Sequence, residues 1–388
     1  MDCNGLEGVV VADTELSDVD GKCGRLVIRG HDVEELALRH DFESACALLW
    51  SGALADAATH AALRSALGWA RVRAFARLPS LGDALAAANA MDALRAALAH
   101  LRADEIAPSE LKLELTAAVA VFAAAWSRQR EGLPALAPDA SLGHAADYLR
   151  MAGATATTTA HAAADTERER ENLERARENL ERARALDAYL VTASDHGMNA
   201  STFTARVVAS TQSDAVSAVV AAIGALKGPL HGGAPGPVLA MLDAIGTPER
   251  AGQWIARQLA AGQRIMGMGH RVYRVRDPRA AVLERAVEQL HAAGVRSNRL
   301  ALARAVEAVA VASLGERRPE RRLAANVEFY TAVILDAVGL PQPLFSATFA
   351  VARVAGWLAH IDEQFATGRL IRPASRYVGP MPEVCEAA

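Results

Sequence analysis

Lysine is almost missing from this chain of 388 residues: Lys22, Lys112 and Lys227 are the three it has. Its positive charge therefore rests on arginine, whose planar guanidinium suits bidentate capture of carboxylate or phosphate. For most surface positions, codon bias toward arginine is an equally good account. Aromatic residues make up 5% of the chain. Alternating Val, Ile or Thr runs are few and short, Arg25-Leu26-Val27-Ile28-Arg29 being one, which argues against a sheet-dominated fold. The cysteines Cys3, Cys23, Cys46 and Cys385 show neither CxxC spacing nor a disulfide framework, so free thiols in a reducing compartment are expected. No basic segment followed by an apolar one opens the chain, and no uninterrupted apolar run reads as long enough to cross a bilayer. A net charge of −4 and a pI near 6.3 give no electrostatic footprint for nucleic acid. The expectation is a soluble, cytoplasmic protein without a nucleic-acid or membrane partner.

What is present favours helix. Hydrophobic residues make up 52% of the chain, ample for a core, and the commonest types, Ala, Leu and Arg, are good helix formers. The length suits two domains, or one large domain with an appendage. Residues 1–30 read as turns around a short hairpin, and helical periodicity begins after His31. A helix is expected from Ser109 to about Arg130, and a long apolar one from about Thr202 to Ala225.

Residues 154–186 form an unusual insert. Arg170-Glu171-Asn172-Leu173-Glu174-Arg175-Ala176 is followed at once by Arg177-Glu178-Asn179-Leu180-Glu181-Arg182-Ala183. Leu173, Leu180 and the alanines give only a thin apolar stripe, too short for a coiled coil. A local duplication forming a surface helix and loop is the simplest account, because insertions in exposed connections cost little. A partner-binding arm is the other reading.

Three clusters carry chemistry. Gly228-Pro229-Leu230-His231-Gly232-Gly233-Ala234 and Gly267-Met268-Gly269-His270-Arg271-Val272-Tyr273 each set one histidine among turn-forming residues, where an imidazole can enter a cleft. Asn326-Val327-Glu328-Phe329-Tyr330 places a carboxylate ahead of an apolar run. The Gly267/Gly269 turn is not a dinucleotide loop, since the strand–GxGxxG–helix unit is absent. His196, His231 and His270 lack metal-ligand spacing, so no metal is expected. Two histidines, one acid and several arginines suit acid–base chemistry on a small anion.

In order, these clusters resemble the citrate synthase family, which reads GPLHGG, then GxGHRVYxxxDPRA, then NVDFY. Gly5 to Val9, Arg25 to Gly30, Phe349 to Trp357 and Ile371-Arg372-Pro373 extend the likeness to both ends. The resemblance implies a mostly α, two-domain helical fold, with a large domain from 1–231 and 342–388 and a smaller inserted one from 232–341. It implies condensation of acetyl-CoA with oxaloacetate and water to citrate and CoA, acyl-CoA being a substrate and no cofactor being permanently bound. His231, His270 and Glu328 would be catalytic, with His231 kept neutral by a helix N-terminus. His196, Arg279, Arg353 and Arg372 would hold the oxo acid, Arg372 by reaching the neighbouring active site of a homodimer. Arg274, Arg321, Asn326, Gly267 and Gly269 would border coenzyme A. The chain departs from the family at Glu328, commonly aspartate, and at Ala374-Ser375, where a basic residue often follows Arg-Pro. A 2-methylcitrate synthase using propionyl-CoA and a weakly active CoA- or dicarboxylate-binding paralogue are the alternatives.

Overall fold

The structure is a computed structural model that describes residues 5–6, 8–154, 166–232, 235–270, 272–295, 299–317 and 323–381. After a three-stranded antiparallel sheet come fifteen α-helices among these residues. The strands are β1 (Ser17–Asp20), β2 (Arg25–Ile28) and β3 (His31–Asp32), in that order across the sheet. Ser17 faces Ile28 and Val27 faces Asp32. The helices are α1 (Val33–Arg39), α2 (Phe42–Ser51), α3 (Ala57–Ala76), α4 (Ala90–Leu98), α5 (Leu111–Arg130), α6 (His144–Met151), α7 (Thr166–Ala193) and α8 (Ala200–Ser210). They continue as α9 (Ala215–Leu226), α10 (Pro235–Ile245), α11 (Ala251–Ala260), α12 (Pro278–Ala292), α13 (Arg299–Arg317), α14 (Val327–Ala337) and α15 (Phe345–Thr367).

The expected hairpin and the helix ending at Arg130 are both present. The single apolar helix expected from Thr202 to Ala225 is instead two, α8 and α9. Gln212 adopts a positive φ of 64°, a conformation that breaks helical geometry. Asp214 then caps α9 by accepting from the Ser217 amide at 2.8 Å, so polar local bonding overrides apolar continuity. The charged repeat is helical, as expected. It forms the first half of α7, whose 28 residues give a rod of about 42 Å. Leu173 and Leu180 are 71% and 52% exposed, whereas Leu186 and Leu190 are wholly buried. One helix therefore changes from solvated spacer to core element along its length. Residues 155–165 of the insert lie outside the described residues.

The core centres on α15, which packs against α8, α5, α2, α9 and α7. The expectation that no segment is long and apolar enough for a membrane needs correction. Gln342–Thr367 passes that test with a mean hydropathy of 1.4, yet 94% of the window is buried within the protein. It is apolar because other helices surround it. The helices α10 to α14 pack mainly on one another, and α12 also rests on α7 and α1. Thus α7 bridges these helices to the rest and delivers the segment Ser194-Asp195-His196 at its C-terminal end.

At Gly356, α15 passes so close to that segment that an added Cβ would lie 2.2 Å from the Ser194 carbonyl oxygen and 2.8 Å from Asp195 Oδ1. Gly356→Ala is expected to lower unfolding stability by about 1–3 kcal/mol through overpacking, read as an earlier melt. A melting curve identical to the native one would contradict this packing.

Candidate active site

Three loops converge, each fixed by a helix cap. Asn199 caps α8, its Oδ1 accepting from the Ser201 and Thr202 amides at 3.1 Å each. Asp277 caps α12 with Pro278 in the first turn, where the missing N–H costs nothing. Asn326 caps α14 and also ties down the glycine loop: its amide donates to the Gly267 carbonyl at 3.0 Å and its Nδ2 to the Gly269 carbonyl at 2.8 Å. Gly267 and Gly269 have φ of 74° and 85°, and a Cβ on Gly267 would lie 2.8 Å from Phe329 Cβ. Both the turn and the close approach therefore require glycine. Below them the β1–β2 turn clamps the next segment, the Arg274 amide donating to the Gly21 carbonyl at 2.7 Å.

These loops bring together His196, His270 and Tyr273. The His196 ring centroid lies 5.8 Å from that of His270 and 5.7 Å from that of Tyr273, both edge-on, and His196 Nε2 is 3.1 Å from the Tyr273 hydroxyl. His270 Nδ1 accepts from the amides of Val272 and Tyr273 at 2.9 and 3.0 Å. The two amide bonds put the proton of the neutral ring on Nε2, which lies 3.4 Å from Arg279 Nη2. Burial, then the Arg279 guanidinium, lowers the His270 pKa to about 4. His196 is also pushed well below the usual histidine range, by burial and then by Arg279 and Arg353.

His231 sits on the other side, 6.3 Å from the Phe349 ring. Its pKa is lowered to about 4, by burial first and then by Arg353 and Arg279. Burial is thus the first cause of the neutral form and the neighbouring arginines the next, while α10 begins at Pro235, four residues further on. His231 Nε2 is 2.8 Å from Ser201 Oγ, which accepts from Trp357 Nε1 at 3.2 Å and lies 2.8 Å from Asn199 Oδ1. Ser201 and Trp357 were missed in the sequence. They lie 30 and 126 residues from His231, too far along the chain for local patterning to pair them with it.

Arg279 is 3% exposed and bound in two-point fashion to Asp277, at 3.0 and 2.7 Å. Arg353 is 1% exposed, donates from Nε to the Ala193 carbonyl at 2.6 Å and lies 5.0 Å from the Phe349 ring. Among the described residues, five buried side-chain polar atoms lack a hydrogen-bond partner, and two are Arg353 Nη2 and Glu328 Oε2. Such groups are costly and rare, and two of the five fall at residues picked from motifs. Burial, opposed by Arg279, raises the Glu328 pKa above the ordinary glutamate range.

The other candidates lie outside this cluster. Arg274 is exposed. Arg372 is exposed on the segment 368–381 that follows α15, lining a cavity of about 1000 Å³ with Arg206, Trp50 and Phe203. Among the described residues, no contact joins it to the three histidines. Arg321 lies outside the described residues. Asn326 has both side-chain groups engaged within the protein, Oδ1 also accepting from the Phe329 amide at 3.3 Å.

The Ser201 bond to His231 makes a prediction. Ser201→Ala frees the imidazole to rotate, and misplacement on the scale of an ångström costs roughly a hundredfold. We expect kcat to fall by about that factor while KM for the oxo acid changes little; an unchanged kcat would show that Ser201 does not position the ring.

The family model "Citrate synthase, C-terminal domain" matches residues 5–374. The chain is 38% identical over 392 residues to a citrate synthase of Haloferax volcanii, covering 97% of this chain and 95% of that protein. It is 36% identical over 386 residues to a 2-methylcitrate synthase of Mycobacterium tuberculosis, covering 97% and 90%. Among solved structures, the chain superposes with a TM-score of 0.80 on the citrate synthase of Thermoplasma acidophilum in its ternary complex with carboxymethyl coenzyme A and oxaloacetate, at 27% identity, covering 98% of this chain and 97% of that one. Matched along nearly its whole length, the chain belongs to the citrate synthase family and is an acyltransferase that turns an acyl group into an alkyl group on transfer.

Proposed function

We propose that this protein is a citrate synthase, condensing acetyl-CoA with oxaloacetate and water to give citrate and CoA. The observation that carries this reading is the pair of unpartnered buried groups, Glu328 Oε2 and Arg353 Nη2, in a cleft with three histidines lowered toward neutrality. Glu328 removes a proton from the acetyl methyl. His231 donates to the thioester oxygen as charge develops, which requires its own proton on Nδ1 and the Ser201 hydroxyl turned to Nε2 and away from Asn199 Oδ1, 2.8 Å from it. His270 donates from Nε2 to the keto carbonyl, so the new carbon–carbon bond forms at a polarised centre. Water then cleaves the thioester, releasing CoA.

His196, Arg279 and Arg353 hold the oxo acid, and Arg372 enters from the partner of a homodimer. This assignment fits an exposed Arg372 remote from the cleft of its own chain. Coenzyme A runs along Gly267, Gly269 and Asn326, with Arg274 and Arg321 toward its phosphates. The large domain comprises 1–231 and 342–388 and the small one 232–341; closure over the oxo acid excludes water and completes the acyl site. The protein acts in the cytoplasm.

The likeness to a 2-methylcitrate synthase favours one second reading, propionyl-CoA as substrate. A single methylene is worth about 1–3 kcal/mol of discrimination. Release of free thiol from acetyl-CoA and from propionyl-CoA, each with oxaloacetate, decides between them. A higher kcat/KM for acetyl-CoA is expected; preference for propionyl-CoA would replace the proposal, and tight binding without turnover of either would make the protein a binding paralogue.

A further inference from the structure

A buried chain of hydrogen bonds leaves the active site in a direction the reaction does not need. Asp195, the residue before His196, is wholly buried. Its Oδ2 takes the Ser17 hydroxyl of β1 and the Gly197 amide, and its Oδ1 meets His360 Nε2 at 3.2 Å. On its other edge, His360 Nδ1 lies 3.1 Å from Arg206 Nη1. A guanidinium can only donate, so Nδ1 accepts and the His360 proton is on Nε2, directed at Asp195. Arg206 is itself 1% exposed and continues outward, donating to Glu363 Oε2 at 2.5 Å and to Gln364 Oε1 at 3.1 Å.

Gln364 ends the chain where the C-terminal segment begins. Its Nε2 donates to the Arg369 carbonyl at 3.1 Å, and two residues on, the Ile371 amide donates to Ser210 Oγ on α8 at 3.0 Å. Arg372 follows directly. Every donor direction along the path is fixed: Gln364 gives to the segment and takes from Arg206, while Arg206 gives to His360 and His360 gives to Asp195. None of these side chains reaches the cleft itself.

We propose that Arg206, His360 and Gln364 are positioning residues forming a relay that couples the seating of the C-terminal segment 368–373 to the Asp195-His196-Gly197 turn. The segment fixes the Gln364 amide. That amide orients the guanidinium, and the guanidinium sets the tautomer and tilt of His360. His360 in turn holds the carboxylate that anchors the turn carrying His196. A chain whose segment is displaced therefore binds the oxo acid poorly even with all cleft residues intact. This kinetic consequence rests on the proposed function; the structural coupling does not.

The test uses the full-length protein. Gln364→Met keeps the side-chain length and removes both relay bonds. We expect it to raise KM for oxaloacetate about tenfold with kcat changed less than about threefold, and to speed hydrogen exchange at the Gly197 amide, which donates to Ser17 Oγ at 2.9 Å. His360→Leu should reproduce both effects. In His360→Gln the carboxamide can accept from Arg206 and donate to Asp195, so it should restore KM to within about threefold of native. The double variant Gln364→Met/His360→Leu should be no worse than His360→Leu alone, because both cut one path. Additive losses, or Gly197 exchange unchanged in Gln364→Met, would overturn the relay. If His360→Leu fails to fold, Gln364→Met and His360→Gln still decide through exchange. Absence of turnover in the native protein would sink the proposed function, and the exchange measurement would stand regardless.

Discussion

Glu328→Gln is expected to abolish nearly all condensation, lowering kcat by on the order of 10³-fold, within the range of a general base removed from a proton transfer. The amide fills the same space and keeps the helix start capped by Asn326, so the loss would be chemical. Glu328→Asp separates charge from reach. It keeps a carboxylate but withdraws it by one methylene, and should cost about a hundredfold if the α14 start cannot advance. That start is tied down: the Val327 amide donates to Asp277 Oδ2 at 3.2 Å, and Met268 pairs with Ala325. Retention of more than about a tenth of native kcat in Glu328→Gln would remove Glu328 as the base.

The same variant has a stability signature of opposite sign. Burial raises the Glu328 pKa, with Arg279 opposing. Below the ordinary glutamate value, both folded and unfolded chains hold the proton and no difference arises. As pH rises through the interval up to the folded value, the unfolded carboxyl ionises freely while the buried one resists, so folding stability is lost there. Above the folded value the loss is complete. Glutamine does not titrate, so Glu328→Gln should melt above the native protein at neutral pH, the gap closing toward acid. In activity, native kcat/KM should fall as pH drops through that same raised value, because only the ionised form accepts a proton. A destabilised variant at neutral pH would contradict the burial of an unpartnered carboxylate.

How much of this could be read from residues alone depends on chain distance. His231, His270 and Glu328 each announce themselves within a few neighbours, because a turn glycine or a helix cap is a local device. The pairings that orient them are not local. Trp357 meets Ser201 across 156 residues, and His360 meets Asp195 across 165, distances over which no periodicity carries information. Apolar patterning likewise overlooked the Gln212–Asp214 break, where backbone φ and a capping carboxylate decide. The repeat was legible as a surface helix, but its continuity with the buried second half of α7 was not, because composition changes abruptly there while helix propensity runs on. Arg353 was the informative exception. A lone cation inside an apolar helix requires a partner wherever the helix lies, and the structure leaves one of its nitrogens waiting.

That nitrogen supports the second large effect, expected for Arg353→Met. Its Nε is bound to the Ala193 carbonyl, whereas Nη2 is buried without a partner, and burial holds the guanidinium pKa down to about 10. An unliganded protein therefore carries a desolvated cation whose full compensation must come from an anion. Removing one member of a buried charge pair typically costs about 2–5 kcal/mol, roughly 30- to 4,000-fold in binding. We expect KM for oxaloacetate to rise by that factor, well beyond any change in kcat. Methionine preserves most of the packing against Phe349, and replacing a buried charge by an apolar group of similar volume is often neutral or stabilising. The unliganded variant should therefore melt no lower than the native protein. Oxaloacetate at about a hundred times its Kd should stabilise the native protein by about 2.7 kcal/mol and leave Arg353→Met unmoved. A variant that still gained full ligand stabilisation would show that the carboxylate is held elsewhere, and the orphaned Nη2 would then need another anion to explain it.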